Sequence, residues 1–502
     1  MGKKYISDVI TKDVIASWQL DQLVAINSGT GTGKSYFILN TLSEYARENK
    51  KRILVLTNRK LLKAQYGDKI YQEQNMQVNT MTYQKLEYKV LHGYNKGVNP
   101  LDEYDFIVAD EYHYWCLDSG YNNTTDISMN YVLKAKGIKI LLSATGVNAN
   151  RYIENYMKMP MTKYTIDSDY KHISSLNFCN KNETVKDIIS DVLKNKEGEK
   201  IIYFCNNKEL AYDTYKDFKK DAMFVCSKAD PKYSGKMDEE KIKYLVKEEK
   251  FADKLLIGTT SIDNGINIID RAVKHIIINV EDCDSLIQCL GRKRIIDKDD
   301  TITLYIMNHS NNKFSGRLNQ ANRKIERIRY LRDKGYKEYI KKYPRQMDYS
   351  GVLYQVNDTE EPIAINYVKY VSLLTNNVFY QEILMRGSKT AYKEYIANLL
   401  GIATFTTVED EVVCDALNLY LEGMLGQVML NVSDRKELIE KIDLKRDGKL
   451  IKKIGNLNGV LEEGGISYRI VEFTTSKMID GKQKRYKSAW RVEKLTNTVT
   501  EI

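Results

Sequence analysis

The chain has 502 residues and a mass of 58.2 kDa, which is too long for one hydrophobic core and predicts about three domains. Hydrophobic residues make up 43% of it, but no run of about 20 apolar residues occurs, which excludes a membrane-spanning helix. The formal charge of +10 favours a polyanionic partner. Seven cysteines without a CxxC pair indicate reduced thiols, so we expect a cytoplasmic protein with no membrane partner, in a bacterial cytoplasm or an infected host cell.

Apolar segments alternate with helix-like stretches through residues 21–165. The segments are LVAIN (23–27), ILVLT (53–57), FIVAD (106–110) and IKILLS (138–143). Buried strands that alternate with helices are typical of a parallel sheet with crossover helices. Residues 1–165 are therefore predicted to form one α/β domain.

A glycine-rich segment, SGTGTGKS at 28–35, follows the first strand and opens a helix, although a strict phosphate-loop pattern would have glycine at Ser28. Glycines let successive N–H groups turn towards phosphate oxygens. Lys34 would bind the β- and γ-phosphates, and Ser35 offers a hydroxyl to Mg²⁺. The segment predicts ATP and Mg²⁺ as cofactors, held by Gly29, Thr30, Gly31, Thr32, Gly33, Lys34 and Ser35.

Two adjacent carboxylates, Asp110 and Glu111, end the strand FIVAD. Phosphoryl transfer needs such a pair beside a phosphate loop. Asp110 would hold Mg²⁺ through its water shell, and Glu111 would polarise the attacking water. The pair predicts hydrolysis of the bound nucleotide.

The alternation of strands and helices recurs in residues 166–312. The apolar segments are IIYFC (201–205), KLLIGTT (254–260), HIIINV (275–280) and TITLYIM (301–307). A second α/β domain of similar size is therefore expected over 166–312.

The pattern becomes helical after about residue 313, with predicted helices over 317–343, 364–401, 409–447 and 449–463. Strand-like alternation on both sides of Asp480-Gly481 predicts a terminal β-hairpin. Residues 313–502 are thus expected to form an α-rich accessory nucleic-acid-binding domain. Its ending resembles the helix and wing of a winged-helix module; an ordinary capping hairpin is the alternative.

Basic residues concentrate in two places in this last region. Residues 317–345 contain eleven Lys or Arg against three Asp or Glu, which favours either a phosphate-backbone binder or a solvated helix face. On the hairpin, Lys484 and Arg485 lie close to Tyr486 and Trp490. This composition suits capture of a nucleic-acid strand, unless Trp490 anchors the hairpin and the cations face solvent.

DEYH at 110–113 resembles the DExH box of superfamily 2 helicases, and further segments follow in the order of that family over roughly residues 20–300. The segments that resemble motifs Ia, the next strand-contact motif, III, IV, V and VI are LTNRKLLKAQ (56–65), NTMTYQKL (79–86), LLSAT (141–145), IIYFCNNKE (201–209), IGTTSIDNGINI (257–268) and QCLGRKR (288–294). The resemblance implies two tandem RecA-like parallel-sheet domains.

The resemblance also implies roles for individual residues. Gly265 would join the nucleotide site, and His113 would hydrogen-bond towards motif III or motif VI when the two domains close. The nucleic-acid backbone would be contacted by Thr57, Arg59, Thr82, Gln84, Thr259 and Thr260.

Motif VI departs from the family pattern. Gln288 and Arg292 match it, but Cys289 replaces the first arginine, and Arg294 lies one residue short of the last. The GRKR ending resembles herpesvirus-type origin-binding and phage DNA helicases, which makes Arg294 the candidate arginine finger. The alternative is a surface arginine paired with Asp297 or Asp299.

These observations predict an ATP-dependent nucleic-acid helicase or translocase that forms ADP and phosphate. The expected partner is DNA, single-stranded or forked, in replication or repair of a phage or mobile element, with possible replication or defence partner proteins. The alternatives are a DExH RNA helicase, an origin-binding initiator, and a non-unwinding translocase subunit of a defence or restriction system.

Overall fold

The computed structural model describes residues 4–29, 31–58, 77–93, 98–117, 122, 124–166, 170–228, 230–259, 266–344, 352–355, 362–446, 449–464, 466–480 and 482–495. The chain forms two compact units, Met1–Phe405 and Thr406–Ile502. All seven cysteines are free thiols. Over the described ranges, no helix has the length and apolar character needed to cross a membrane.

The first lobe, residues 4–166, is built on a parallel sheet with the strand order β3-β2-β4-β5-β1-β6. Its strands are β1 Leu23–Ser28, β2 Ile53–Thr57, β3 Val78–Thr82, β4 Phe106–Asp110, β5 Ile138–Ser143 and β6 Thr162–Ile166. The central strands are wholly buried because helices cover both faces of the sheet, which requires side chains that are apolar nearly throughout.

Short helices surround this sheet. They are α1 Ile6–Val9, α2 Lys12–Ala16, α3 Lys34–Tyr36, α4 Ser43–Glu48, α5 Tyr83–His92, α6 Tyr114–Leu117, α7 Thr125–Leu133 and α8 Val147–Arg151, with π-helical turns at Phe37–Leu42 and Tyr152–Tyr156. The turn at Phe37–Leu42 joins α3 to α4, so one helical run extends from Lys34 to Glu48. This helical run starts at Lys34, within the last part of the glycine-rich segment, and fixes the position of that part.

The second lobe, residues 173–307, is built on another parallel sheet, whose strands lie in the order β7-β12-β11-β8-β10-β9. The strands are β7 Ile173–Cys179, β8 Lys200–Cys205, β9 Ala222–Val225, β10 Leu255–Gly258, β11 Val273–Asn279 and β12 Ile302–Met307. Its helices are α9 Asn182–Asn195, α10 Lys208–Asp217, α11 Glu239–Glu248 and α12 Cys283–Leu290, with a 3₁₀ turn at Ser234–Lys236. Two successive parallel sheets of this kind are tandem RecA-like domains, as predicted.

Three helices and a small hairpin complete the first compact unit. They are α13 Asn311–Lys342, β13 Leu353–Gln355, β14 Ile363–Ile365, α14 Tyr367–Arg386 and α15 Ala391–Leu400. Gly335, with a φ of 77°, interrupts α13. Because α13 to α15 lie within this unit, the boundary between the compact units follows Phe405.

Helix α14 contributes to the cores of both lobes. Near its start, Val368 is fully buried in the first-lobe core that contains Trp115. Near its end, Ile383 is fully buried in the second-lobe core that contains Phe178. The helix therefore bridges the lobes, and we call it the bridging helix.

The second compact unit contains α16 Val408–Gly423, α17 Val432–Ile442 and α18 Ile454–Glu463. Its strands are β15 Thr406–Thr407, β16 Val428–Met429, β17 Lys445–Arg446, β18 Lys449–Leu450, β19 Tyr468–Ile479 and β20 Lys482–Lys494. The long strands β19 and β20 form the predicted antiparallel hairpin, and β16 pairs with β20. Trp490 lies in the apolar core of this unit and anchors the hairpin at its base.

Candidate active site

The glycine-rich segment forms a tight turn between β1 and the helix that starts at Lys34. Gly31 and Gly33 have φ values of 75° and 85°, a region that residues with a Cβ rarely adopt. The Thr32 hydroxyl donates to the Gly29 carbonyl at 2.7 Å, which closes the turn. The structure thus provides a helix N-terminus preceded by a loop, a geometry that binds phosphate groups.

An ion pair connects this loop to the acidic end of β4. Lys34 Nζ lies 2.9 Å from Glu111 Oε1, and both side chains are largely buried. Burial alone would raise the pKa of Glu111, but the Lys34 ammonium and the hydrogen bond with His113 outweigh it and hold that pKa well below its usual range. Glu111 is therefore a carboxylate near neutral pH.

His113 links the acidic pair to the second lobe. Its Nδ1 lies 3.3 Å from Glu111 Oε2 and 2.8 Å from Ser143 Oγ. Its Nε2 lies 2.7 Å from the amide nitrogen of Gln288, which also donates to Thr145 Oγ1 at 3.2 Å. Because an amide nitrogen only donates, Nε2 accepts and the ring proton lies on Nδ1. The structure thus brings His113 to both motif III and motif VI.

Asp110 and Ser35 offer the oxygen ligands that Mg²⁺ prefers. Asp110 ends β4 and is 4% exposed, while Ser35 lies in the first turn after the glycine-rich segment. Within the described ranges, no group of three or more His, Cys, Asp or Glu is placed to hold a metal ion.

Motif VI contributes two arginines to this region. Arg294 donates from Nε and Nη2 to Asn267 Oδ1, at 2.9 and 2.7 Å. Asp297, the alternative partner considered from the sequence, pairs with Arg271 instead. Burial, followed by the charge of Arg292, lowers the pKa of Arg294 to about 10, while Glu111 favours its charged form.

Buried polar atoms without a hydrogen-bond partner occur in the same region. Among the described residues these atoms include Ser28 Oγ, Arg292 Nε and Arg294 Nη1. Buried donors of this kind destabilise a protein unless a ligand satisfies them. Two of the three belong to guanidinium groups, which suit an anionic ligand.

The residues expected to contact nucleic acid lie at the carboxyl ends of the strands. Thr57 and Thr82 are register partners at the ends of β2 and β3. Thr82 Oγ1 accepts from Lys85 N at 3.1 Å and caps α5, and Gln84 Nε2 donates to the Asn58 carbonyl at 3.0 Å. In the first lobe these residues share the sheet edge that carries Lys34 and Asp110.

Thr259 directly follows β10 in the second lobe and is 3% exposed, and its N–H donates to the Val225 carbonyl at 3.1 Å. In the other compact unit, Lys484 and Arg485 lie on the exposed part of β20, with Lys484 opposite Lys477. The sequence-predicted residues Thr30, Arg59, Thr260 and Gly265 lie outside the described residues.

Sequence reasoning missed several residues that shape this site. The Tyr112 hydroxyl donates to Asn150 Oδ1 at 2.7 Å, and a Cβ at Gly146 would lie 1.8 Å from that hydroxyl. The glycine after the SAT triplet was the signal that could have revealed this close approach. Glu249, which bonds to Asn267, had no local signal, because that contact joins distant segments.

Two protein-family sequence models match the chain, one over each lobe. "Type III restriction enzyme, res subunit" matches residues 7–147, and "Helicase conserved C-terminal domain" matches residues 180–294. The first range contains the glycine-rich segment and the acidic pair, and the second range contains motif VI. A comparison with curated proteins found no match.

Similar solved structures include S. cerevisiae Dbp5 bound to RNA and ADP BeF3, with 16% identity over 59% of this chain and 81% of that chain and a TM-score of 0.43. MrfA, a DUF1998 helicase bound to DNA, has 16% identity over 61% of this chain and 49% of that chain, with a TM-score of 0.43. The Pyrococcus furiosus Hef helicase domain has 14% identity over 61% of this chain and 97% of that chain, with a TM-score of 0.36.

Proposed function

The chain belongs to the superfamily 2 helicases and is a nucleic-acid helicase or translocase, and from this premise we propose that it hydrolyses ATP to ADP and phosphate when nucleic acid is bound. The observation that carries the proposal is the chain of contacts from Lys34 through Glu111 and His113 to Gln288. It connects a phosphate-binding loop on one lobe to motif VI on the other.

In this proposal each residue has a separate task. The loop residues Gly29 to Gly33 donate N–H groups to the phosphates. Lys34 gives up its ion pair with Glu111 and binds the β- and γ-phosphates instead. Asp110 and Ser35 hold Mg²⁺, which when bound neutralises charge on the phosphate oxygens. Glu111, then relieved of Lys34, orients the attacking water, while His113 keeps its carboxylate in place.

The second lobe completes the site. Arg292 and Arg294 stabilise the negative charge that develops on the transferred phosphoryl group, with Arg294 as the finger. Gln288 donates a hydrogen bond to His113, and this bond can form only when the two lobes are close together. Gly265 joins the nucleotide site from motif V. Hydrolysis therefore requires both lobes, which couples the reaction to their relative motion.

We propose the domain division 1–165, 166–312 and 313–502, the last being an accessory region for nucleic acid. In the second compact unit, helices and strands follow the order β15, α16, β16, α17, β17, β18, α18, β19, β20, and β16 pairs with β20. The strands β15, β17 and β18 have two residues each. This order supports a winged-helix module with the β19–β20 hairpin as its wing. Lys484 and Arg485 would contact phosphates there.

The proposed track crosses the carboxyl edges of the two sheets. Thr57, Arg59, Thr82 and Gln84 would contact the backbone from the first lobe, and Thr259 and Thr260 from the second. We propose single-stranded or forked DNA as the polymer, because the GRKR ending of motif VI resembles that of origin-binding and phage DNA helicases. A cytoplasmic role in replication or repair of a phage or mobile element, with replication or defence partner proteins, fits that substrate.

The test is ATP hydrolysis by the full chain with single-stranded, forked and duplex DNA and with matched RNA. Stimulation by single-stranded or forked DNA is expected, and a turnover rate unaffected by every polymer would contradict the proposal. Greater stimulation by RNA would identify an RNA helicase instead. Triplex displacement without separation of duplex strands would indicate a translocase, and footprinting of one sequence would indicate an origin-binding initiator.

A further inference from the structure

We propose that helix α16 is a docking surface for a basic amphipathic helix of a partner protein. The surface is an exposed apolar stripe, formed by Val412, Ala416, Leu419 and Gly423, with carboxylates along one side. We call these four residues the α16 stripe. The inference goes beyond the proposed function, which assigns no surface to a partner protein, and it does not depend on ATP hydrolysis.

Helix α16 is apolar on two opposite faces, and the fold covers one of them. Leu417 and Leu421 lie in the core of the second compact unit. On the opposite face, Val412 and Leu419 are 62% and 72% exposed, and Ala416 is exposed between them. Single exposed apolar residues are ordinary, but an aligned row of them on one helix face marks a contact site.

The spacing of the α16 stripe is that of a coiled-coil seam. Its residues follow one another at intervals of four, three and four, which lets one helix pack along another. Ala416 and Gly423 are small, and a Cβ added at Gly423 would meet no atom of the described residues within 4 Å. These two positions are therefore holes that large side chains of a partner helix can fill.

The charge beside the stripe identifies the chemistry of the partner. Asp415 and Glu422 are exposed and directly precede Ala416 and Gly423, so both carboxylates lie along the same side of the stripe. Residues 394–434 contain seven Asp or Glu and no Lys or Arg, in a chain whose net charge is +10. Because residues that flank a seam select the partner by charge, the partner helix carries Lys or Arg beside its apolar positions. The same carboxylates repel a nucleic acid.

A second copy of this chain is a poor occupant of the surface. Parallel copies would set Ala416 and Gly423 against the same small residues and leave a gap at each position. Antiparallel copies would bring the carboxylates of Asp415 and Glu422 together, and like charges repel. Charge and side-chain size therefore both favour a helix from a different protein.

The length of the surface sets the expected strength of binding. From Val412 to Gly423 the α16 stripe is about 18 Å long, since each residue adds about 1.5 Å. A contact of this length is smaller than a standard stable interface, so we expect a transient complex with a Kd of roughly 10 μM.

The first experiment measures docking of a fluorescent synthetic helix to the full chain by anisotropy, without nucleotide or nucleic acid. The probe has about 28 residues, with Leu at the seam positions and Lys at the flanking positions, whose repulsion keeps it monomeric. A second probe carries Glu in place of each Lys, and a third has the residues of the first in scrambled order. We expect the second and third probes to bind at least about 10-fold more weakly than the first.

Variants of exposed residues locate the binding to α16. Leu419→Ser should weaken binding of the Lys probe by at least about 10-fold, because it removes the largest side chain of the stripe. The matched control is Leu20→Ser in the first lobe, where Leu20 is 73% exposed, and its affinity for the probe should equal that of wild type. Circular dichroism verifies that both variants fold.

A charge reversal tests the selection of the partner. Asp415→Lys with Glu422→Lys should weaken the Lys probe, strengthen the Glu probe and so invert the preference between them. Glu462→Lys with Glu463→Lys, at exposed positions of α18, changes the net charge equally and should leave the preference as in wild type.

The inference is overturned if the scrambled probe binds as well as the ordered one, if Leu419→Ser binds like Leu20→Ser, or if the preference does not invert. Sedimentation of the wild type as a dimer that Leu419→Ser dissociates would assign the surface to a second copy instead. Because these measurements need no nucleotide, a chain that fails to hydrolyse ATP would refute the proposed function and leave this inference standing.

Discussion

Three consecutive basic residues in motif VI have different surroundings. Lys293 forms an ion pair with Asp300 in which both side chains are fully buried. Its neighbours Arg292 and Arg294 each keep a buried N–H without a partner in the described part of the chain. Lys293 is thus satisfied by the fold, whereas each arginine keeps one N–H donor that suits the anionic ligand of the proposed function.

We expect Lys293→Ala to destabilise the protein by about 3–5 kcal/mol, because it leaves the buried Asp300 carboxylate without its cation. Arg292→Ala should change the unfolding free energy by less than about 1 kcal/mol, because no hydrogen bond of its Nε is lost. Its kcat should nevertheless fall. Urea unfolding followed by circular dichroism provides the free energies, and equal destabilisation by both variants would show that this distinction is wrong.

Lys34→Ala is expected to reduce ATP turnover below detection and to leave nucleic-acid binding within about threefold of wild type. The ammonium group is needed for the phosphates, whereas the residues proposed to contact the polymer lie elsewhere. The paired measurements are phosphate release and fluorescence anisotropy with labelled DNA. Wild-type turnover would reject the assignment of the phosphate loop.

At the scale of single elements, the start of α12 contains a carboxylate in an unfavourable environment. Asp284 lies in the first turn of that helix. Burial raises its pKa to about 7; the nearby Asp282 adds to the shift, and His113 opposes it. Its charge also influences Tyr112 and Cys116, which places it against the first lobe.

This shift predicts a pH-dependent stability. The folded protein holds the Asp284 proton up to about pH 7, whereas the unfolded chain releases it near pH 4, so the free energy of unfolding falls as the pH rises between these values. Asp284→Asn should match wild type near pH 4 and be more stable at pH 8, by at most about 4 kcal/mol. Denaturation curves at both pH values test this, and an equal difference at both would contradict it.

The terminal hairpin has a buried part that anchors it and an exposed part at its tip. Trp490 is 8% exposed in the core, with the guanidinium of Arg435 over its ring, so it is not available for stacking on bases. The tip is exposed and places Lys477 opposite Lys484. Like charges in direct cross-strand register repel, and a bound polyanion would relieve that repulsion.

Lys484→Gln with Arg485→Gln should weaken DNA binding and reduce the slope of log affinity against log salt by about 1 to 2, because each lost phosphate contact releases about one counterion fewer. Glu472→Gln, a substitution at an exposed position of the same hairpin opposite Trp490, controls for a general effect of altered hairpin charge. Titrations at several salt concentrations measure the slope. An unchanged slope would remove the hairpin from the proposed interface.

The elements that could be predicted from the sequence are those with uniform surroundings. The mainly apolar segments that became β2, β4 and β5 match their observed bounds, because a strand buried on both faces leaves little room for polar residues. The strands β6, TKYTI, and β7, ISSLNFC, were not predicted. Both contain several polar residues, so their sequences lack the continuous apolar run.

The site residues on continuous motifs could be selected from the sequence, and the family resemblance implied a hydrogen bond of His113 towards motif III or motif VI. Residue patterns alone do not indicate that His113 meets Gln288, since 175 residues separate them. The Asn267–Arg294 contact likewise depends on how two segments of the second lobe pack. Such pairs follow from tertiary packing, which residue periodicity does not encode.

At the scale of the whole molecule, the bridging helix makes the two lobes one folding unit. Val378 lies on its exposed side, 54% exposed, between the buried Val368 and Ile383. Val378→Pro removes one backbone hydrogen bond and breaks the helix at a cost of about 3 kcal/mol, without removing a core side chain. We expect calorimetry to show one more thermal transition in this variant than in wild type, because the two lobes then unfold separately.

Val378→Ala is the matched control, because it shortens the same exposed side chain and keeps the helix. It should show the same number of transitions as the wild type. A Val378→Pro variant that adds no transition would contradict the coupling of the lobes through this helix.

The bridging helix has 20 residues, so it behaves as a rod of about 30 Å with each end seated in a different lobe. A rod of fixed length does not stretch when the lobes separate. The lobes can rotate about the two buried ends of the helix, whereas pure translation would pull Val368 or Ile383 out of the core in which it is buried. Any motion of the lobes that keeps both ends of this helix buried is therefore a swing whose arc is set by the length of one helix.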